Sequence, residues 1–169
     1  MQVSGIPLYA LMLISSAIGA EEMTHAQKAS HVPFPESYRS WQLVKSIVVG
    51  PDSPLSAMRG GIHHYYANPA AIIGYQTGKF PDGAVIVDEA MWMKAGEGMA
   101  KGIWMENEVR FLEVMSKDAA LYSTSGGWGY QRFEGDDHQG KLDTDSQAHC
   151  FACHEKAKDR DHVYSSLRP

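Results

Sequence analysis

Residues 47–66 begin with Ile47-Val48-Val49 and Gly50-Pro51-Asp52-Ser53-Pro54 and continue, after Gly60-Gly61, with Ile62-His63-His64-Tyr65-Tyr66. Short runs of β-branched and aromatic residues are typical of strands, whereas clustered Gly and Pro are typical of turns. The stretch therefore predicts a strand, a turn and a second strand. A long bundle helix cannot continue through these breakers.

Two further elements follow directly along the chain. Asn68 suits an N-cap and Pro69 the first helical position, so a short helix is predicted from Asn68 to Thr77. The turn residues Phe80-Pro81-Asp82-Gly83 come next. They lead into a predicted strand from Ala84 to Met93, which is rich in Val, Ile, Met and Trp.

The C-terminal half predicts two more strands and a last helix. Ile103 to Met115 resembles a strand, although its charged residues also suit a helix. Trp128 to Phe133 alternates aromatic with small or polar residues after a turn rich in Ser and Gly. Asp143, Asp145 and Ser146 are candidate N-caps for the last helix. The predicted fold class is α+β, mainly β: a twisted antiparallel sheet with a few helices.

Composition limits the class of protein. A chain of 169 residues fits one domain, and 44% hydrophobic with 21% charged residues is a globular composition. The formal net charge is −5. Binding to nucleic acid needs a basic face for the phosphates, which this balance does not favour.

The N-terminus predicts export. Leu8 to Ile18 is an apolar run too short to span a bilayer as a mature helix, and Ala17, Gly19 and Ala20 are small residues suited to a cleavage site. Residues 1–20 are therefore interpreted as a signal peptide and 21–33 as a linker. The alternative is an uncleaved anchor, because the segment lacks Lys and Arg. The mature protein is expected to be periplasmic or secreted, without stable membrane insertion.

The two cysteines define the strongest motif. Cys150-Phe151-Ala152-Cys153-His154 is the C-x-x-C-H pattern of c-type haem attachment. Residues three apart share one helix face, so both thiols can reach the vinyl groups at one edge of a porphyrin. His154 is then carried to the iron. The sequence predicts one covalent haem c, held by Cys150 and Cys153 and ligated by His154.

Three other interpretations of the cysteines fit the residues less well. A structural zinc site needs four ligands, which His149 and the motif residues cannot readily supply from one short helix. A redox C-x-x-C pair is expected near a βαβ pattern, which the chain lacks. A simple disulfide does not require the trailing His. The last Met is Met115, upstream of the motif, so any sixth iron ligand must also come from upstream.

Several segments follow one another along the chain: Pro35-Glu36-Ser37-Tyr38-Arg39-Ser40-Trp41, Tyr66-Ala67-Asn68-Pro69, Gly78-Lys79-Phe80-Pro81-Asp82-Gly83, Gly127-Trp128-Gly129-Tyr130, the haem motif and Asp161-His162-Val163-Tyr164. In type and order they resemble landmarks of the cytochrome P-460 family, over roughly residues 34–169. The resemblance implies one haem domain at 34–169, a mostly β fold, often a homodimer, and a five-coordinate iron that faces a distal pocket.

The family contains two branches. One oxidises hydroxylamine with a haem that is also cross-linked to a lysine, and the cytochromes c-prime-beta bind nitric oxide without that lysine. At the corresponding position this sequence has Asp88, which disfavours the enzyme branch. Lys94 is six residues further on, about 20 Å along a strand, and is not a simple substitute.

The same resemblance suggests the distal residues. His63 falls at the position of a family arginine and is expected to donate a hydrogen bond to an iron-bound ligand or to ligate iron, unless it is a packing residue. Glu113 or Asp88 is expected to accept protons from a substrate, unless Glu113 is simply solvated. Two functions stay open. The first is gas binding or electron transfer, with a small nitrogen-oxide ligand or a redox partner protein, and the second is oxidation of hydroxylamine or a related nitrogen compound.

Overall fold

A computed structural model describes residues 31–135 and 137–168. The predicted signal peptide, 1–20, lies outside the described residues, as does most of the predicted linker at 21–33. Among these described residues, none of the helices has the length and apolar character that a transmembrane span requires.

Within the described residues, five antiparallel strands form one sheet in the order of the chain, β1 to β5, so every connection joins neighbours. The strands are β1 (Gln42–Val49), β2 (Gly61–Ala67), β3 (Val85–Ala95), β4 (Trp104–Lys117) and β5 (Trp128–Phe133). The same part of the chain has the α-helices α1 (Ser56–Arg59), α2 (Pro69–Thr77) and α3 (Thr144–His154). Short 3₁₀ helices cover Tyr38–Ser40, Gly98–Ala100, Ser123–Ser125 and Glu155–Arg160. The predicted fold class, α+β and mainly β, is confirmed.

The predicted strand, turn and strand around residue 50 is confirmed, with one addition. The short helix α1 lies inside the connection between β1 and β2, where the sequence predicted only a turn. The first residue of β2, Gly61, has to be glycine. A Cβ atom there would lie 2.3 Å from the carbonyl oxygen of Met91 on the neighbouring strand. Only glycine allows the two backbones to approach this closely.

Helix α2 begins as the sequence predicts. The side chain of Asn68 accepts a hydrogen bond from the amide of Ala71 at 2.9 Å, and Pro69 is the first helical residue. Asn68 also accepts from the amide of Val85 at 3.0 Å, at the start of β3. One side chain thus ties the helix to the sheet.

The ambiguous segment at 103–115 is a strand. Its first residues are exposed, because the β3–β4 hairpin extends past the ends of β2 and β5. Charged residues such as Glu106 and Glu108 are solvated there, which explains why this part of the strand does not show apolar alternation.

Each face of the sheet packs its own core. One core lies under α2 and α3 and includes Val44, Ala67, Ala71, Phe80, Ala84, Ile86, Trp128, Tyr130 and Val163, with Cys150 and Phe151 packed against it. The other core includes Val32, Tyr38, Val87, Leu112, Val114, Tyr122 and Phe133. Alternation along the strands divides these residues between the two faces. The predicted haem motif therefore lies over the first face, which we call the α3 face.

Candidate functional site

Helix α3 carries the predicted attachment motif. It begins at Asp143, whose side chain accepts a hydrogen bond from the amide of Ser146 at 2.8 Å, as an N-cap does. Both cysteines are free thiols in the same helix, three residues apart. Cys150 is half-buried against the α3-face core and Cys153 is exposed. Burial and the nearby charge of Glu113 raise the pKa of the Cys150 thiol.

His154 is the last residue of α3, and its ring has a fixed tautomer. Nδ1 lies 2.7 Å from the carbonyl oxygen of His162. A carbonyl oxygen only accepts, so Nδ1 carries the proton and Nε2 keeps its lone pair. No described residue is bonded to Nε2. Burial lowers the pKa of His154, which favours the neutral imidazole that metal ligation needs.

Two tyrosines hold the His154 ring in place. The Tyr130 ring lies with its centroid 5.1 Å from that of His154, and the Tyr164 ring lies at 5.2 Å in an edge-on arrangement. The Tyr164 hydroxyl donates to the carbonyl oxygen of Cys153 at 2.8 Å. The imidazole is thus oriented by two rings and one hydrogen bond.

The predicted distal residues meet on the α3 face of the sheet. Cross-strand pairing aligns Tyr65 with Asp88, Asp88 with Glu113, and Glu113 with Arg132, in one row across four strands. The charge of Glu113 acts on both Cys150 and His154, which places the row within electrostatic reach of the motif. The structure therefore brings Asp88 and Glu113 to the side of the sheet that α3 covers.

Arg59 links the two carboxylates, a role that was not predicted from the sequence. Its guanidinium group donates to Glu113 at 2.5 Å and to Asp88. Arg59 ends α1, a four-residue helix with no side-chain N-cap. Neither a motif nor a cap marks this helix in the sequence, so only the three-dimensional structure shows where Arg59 points.

His63 is fully buried beneath this cluster. Nδ1 lies 2.8 Å from Oδ1 of Asp88, and Nε2 lies 2.7 Å from the carbonyl oxygen of Arg59. Burial alone lowers the pKa of His63, but the hydrogen bond and charge of Asp88, with the Arg59 carbonyl, raise it above its ordinary value. Both ring nitrogens are engaged within the protein. The direct ligand or donor role of His63 stays a prediction, and it requires that one of these bonds be given up.

The donor set around the motif fits a haem. Among the described residues, the Tyr130 hydroxyl and Nε of Arg132 are buried polar atoms without a hydrogen-bond partner. Buried polar atoms normally have one. Both side chains come from β5, the strand on which α3 packs. Two free thiols, a neutral imidazole with a free Nε2 and two unsatisfied donors suit a porphyrin with carboxylate groups.

Comparison with known proteins identifies the family of the chain. No curated protein sequence matches the chain. A family model described as Cytochrome P460 matches residues 35–165, which cover the sheet, the Arg59 cluster and helix α3. The match spans most of the chain and ends beyond the turn that follows His154. The chain belongs to the cytochrome P460 family.

Proposed function

We propose that this protein is an exported mono-haem c-type cytochrome. In this proposal Cys150 and Cys153 hold the haem covalently and Nε2 of His154 ligates its iron. Family membership supports a c-type haem protein. The observation that carries the assignment of the ligand is the 2.7 Å hydrogen bond from Nδ1 of His154 to the His162 carbonyl, which leaves Nε2 available.

The distal side of the iron is proposed to be open. Two buried or half-buried histidines occupy β2, and each has partners for both ring nitrogens. His63 contacts Asp88 and Arg59, whereas His64 contacts Ser46 at 2.7 Å and Glu106 at 2.6 Å. A histidine bonded on both sides is a poor competitor for iron. An open coordination position supports binding of a small gas, since haem iron supplies a Lewis-acidic site for a diatomic ligand.

The charges around this side favour a neutral ligand such as nitric oxide. Arg59 pairs with both Asp88 and Glu113, and Arg132 lies 3.7 Å from Glu113. The buried His63 ring is bonded to Asp88 at 2.8 Å, so its charge is also paired within the cluster. Because these charges are paired with one another, the cluster offers little free positive charge to an anionic substrate. Electron transfer to a redox partner protein is compatible with the same site.

Oxidation of hydroxylamine is the second candidate function. Glu113 favours it, because this half-buried carboxylate lies on the α3 face and can accept a proton. Asp88 opposes it, because a carboxylate cannot form the amine link of the cross-linked enzymes. The side chains of Lys79, Lys94 and Lys101 are exposed. We therefore propose gas binding or electron transfer first.

Titration of the ferrous protein with nitric oxide tests this proposal. We expect a prompt spectral change to a nitrosyl complex at one equivalent per haem. The Met115→Leu variant is the matched control, because Met115 is packed against the core that contains Cys150 and is a candidate sixth ligand. A stable low-spin spectrum that does not respond to nitric oxide would contradict an open distal side. If Met115→Leu alone restored binding, methionine would be the sixth ligand.

The homodimer, which the family resemblance implied, also stays a proposal. Large apolar side chains are exposed on the outer part of the β3–β4 hairpin: Trp92, Met99, Ile103, Trp104 and Met105. Contiguous apolar residues of this kind are typical of interaction surfaces. Light scattering of the purified protein should give twice the chain mass. A measured mass equal to that of one chain would refute the homodimer.

A further inference from the structure

The turn that follows the 3₁₀ helix Glu155–Arg160 has an unusual backbone. Asp161 and His162 both have positive φ angles, 51° and 65°, and neither is glycine. Left-handed backbone is unfavourable for residues with a Cβ atom, and two in succession require support from the surrounding structure. The His162 carbonyl that bonds to His154 belongs to this turn.

Asp161 is bonded by residues from three parts of the fold. Its Oδ1 accepts from Nζ of Lys117 at 2.8 Å and its Oδ2 accepts from the amide of Phe80 at 2.9 Å. Its backbone carbonyl accepts from the indole of Trp128 at 2.8 Å. The end of β4, the loop after α2 and the start of β5 thus all hold one residue of the turn.

Lys117 connects this turn to a second one. Besides Asp161, Nζ donates to the carbonyl oxygen of Gly126 at 3.0 Å. Gly126 has a φ of 66°, and a Cβ atom there would lie 2.4 Å from Nε2 of His162. The His162 ring therefore packs directly on Gly126. The ammonium group of Lys117 bonds both to Gly126 and to Asp161, the residue that precedes His162.

The ion pair is buried, with side-chain exposures of 9% for Lys117 and 12% for Asp161. Burial alone raises the pKa of Asp161, but the hydrogen bond from Lys117 lowers it below its ordinary value. Buried ion pairs add little net stability compared with apolar side chains of similar size. The Lys117–Asp161 pair is therefore better explained by the way it fixes the geometry of the turn than by a gain in stability.

We propose that Lys117 and Asp161 are positioning residues for the proximal histidine, because they keep the His162 carbonyl on Nδ1 of His154. This inference rests on the proposed function, since it requires that His154 ligates the iron. A hydrogen bond that Nδ1–H donates to a carbonyl oxygen makes Nε2 of the imidazole a stronger electron donor to iron. A stronger donor stabilises ferric iron and lowers the midpoint potential.

Two measurements on the holoprotein test the inference. One is the iron–histidine stretching band of the ferrous protein by resonance Raman spectroscopy, and the other is the midpoint potential. In Lys117→Met and Asp161→Ala we expect the band to shift to lower wavenumber and the potential to rise. Asp161→Asn should shift both less, because its amide oxygen replaces one of the two acceptors and Asn tolerates left-handed backbone.

Two controls separate positioning from general destabilisation. Val114→Ala removes buried volume from the core on the opposite face, and Lys141→Met removes the exposed ion pair with Asp137. Both should keep the wild-type band and potential. If Asp161→Ala does not fold, Asp161→Asn decides. If the variants at 117 and 161 keep the wild-type band and midpoint potential, the positioning role is wrong but the proposed function stands. If the wild type itself shows no iron–histidine band, the proposed function is wrong as well.

Discussion

Nδ1 of His154 donates a hydrogen bond of 2.7 Å to the carbonyl oxygen of His162, eight residues later in the chain. The bond fixes both the tautomer and the ring orientation of the residue that the motif designates as iron ligand. It also connects the end of α3 to a turn that β4 and β5 hold in place. The proximal side is thus built by residues far apart in the sequence.

Replacing His154 by Ala should remove the proximal ligand. We expect little holoprotein, and the fraction that forms should regain a ligated spectrum when imidazole is added. Absorbance of haem per protein measures both effects. His149→Ala is the matched control, because His149 is exposed on the same helix one residue before the motif. Equal haem loss in the two variants would contradict a specific role for His154.

Replacing Arg59 by Gln should lower the free energy of unfolding by about 2 kcal/mol, because it removes charged hydrogen bonds to Asp88 and Glu113. Urea denaturation of the holoprotein measures this. Arg39→Gln breaks a more exposed ion pair, with the single carboxylate of Glu89, and serves as the control. We expect only Arg59→Gln to change the dissociation rate of nitric oxide. Equal nitric oxide dissociation rates in wild type and Arg59→Gln would show that the cluster of Arg59, Asp88 and Glu113 does not contact the bound ligand.

His63 should make stability depend on pH. The pKa of His63 is raised in the folded protein, despite burial and the charge of Arg59, by the hydrogen bond and charge of Asp88. Its contribution is therefore complete below the unfolded value of about 6.5 and is lost as pH rises through the higher folded pKa. His63→Gln should lose less stability at about pH 9 than at about pH 6, as urea denaturation will show.

The Asp88→Asn variant checks the cause of this pH dependence. It removes the negative charge that raises the pKa of His63. The free energy of unfolding should therefore change less between the same two pH values. A difference between wild type and His63→Gln that grows with pH would show that the neutral imidazole, not the imidazolium, is the stable folded form.

The haem should have no cross-link to lysine. Asp88 is bonded to Arg59 and His63, and a carboxylate cannot replace the amine that such a link requires. We expect an ordinary c-type spectrum and little oxidation of hydroxylamine. Mass spectrometry of a tryptic digest checks the first point and a turnover assay the second. A haem peptide linked to Lys79, Lys94 or Lys101, together with turnover, would move the protein into the enzyme branch.

Much of the fold was predictable because its signals are local. Asn68 before Pro69 marks the start of α2, and Asp143 marks the start of α3, since each cap lies next to the helix that it begins. The strand at Trp128–Phe133 has the predicted bounds. The second strand of the β3–β4 hairpin was harder to assign, because its outer part extends past β2 and β5 and is exposed on both faces, so it lacks the alternation that identifies strands.

The candidate site was only partly predictable. Residue types and spacing identify Cys150, Cys153 and His154, and alternation correctly places Asp88 on the face of Ile86 and Ala90. The partners of Arg59 depend on the register of three strands, which the sequence does not reveal. The role of His162 depends on its backbone carbonyl, which no pattern of residue types can indicate.

The intact mass of the purified protein tests the central proposal most directly. We expect one species whose mass equals the polypeptide plus one haem after denaturation, and loss of that added mass in the Cys150→Ala/Cys153→Ala double variant. Thioether bonds need both sulfur atoms. A wild-type mass equal to the bare polypeptide, or lower by the two hydrogens of a disulfide, would contradict it, as would an unchanged haem adduct on the double variant.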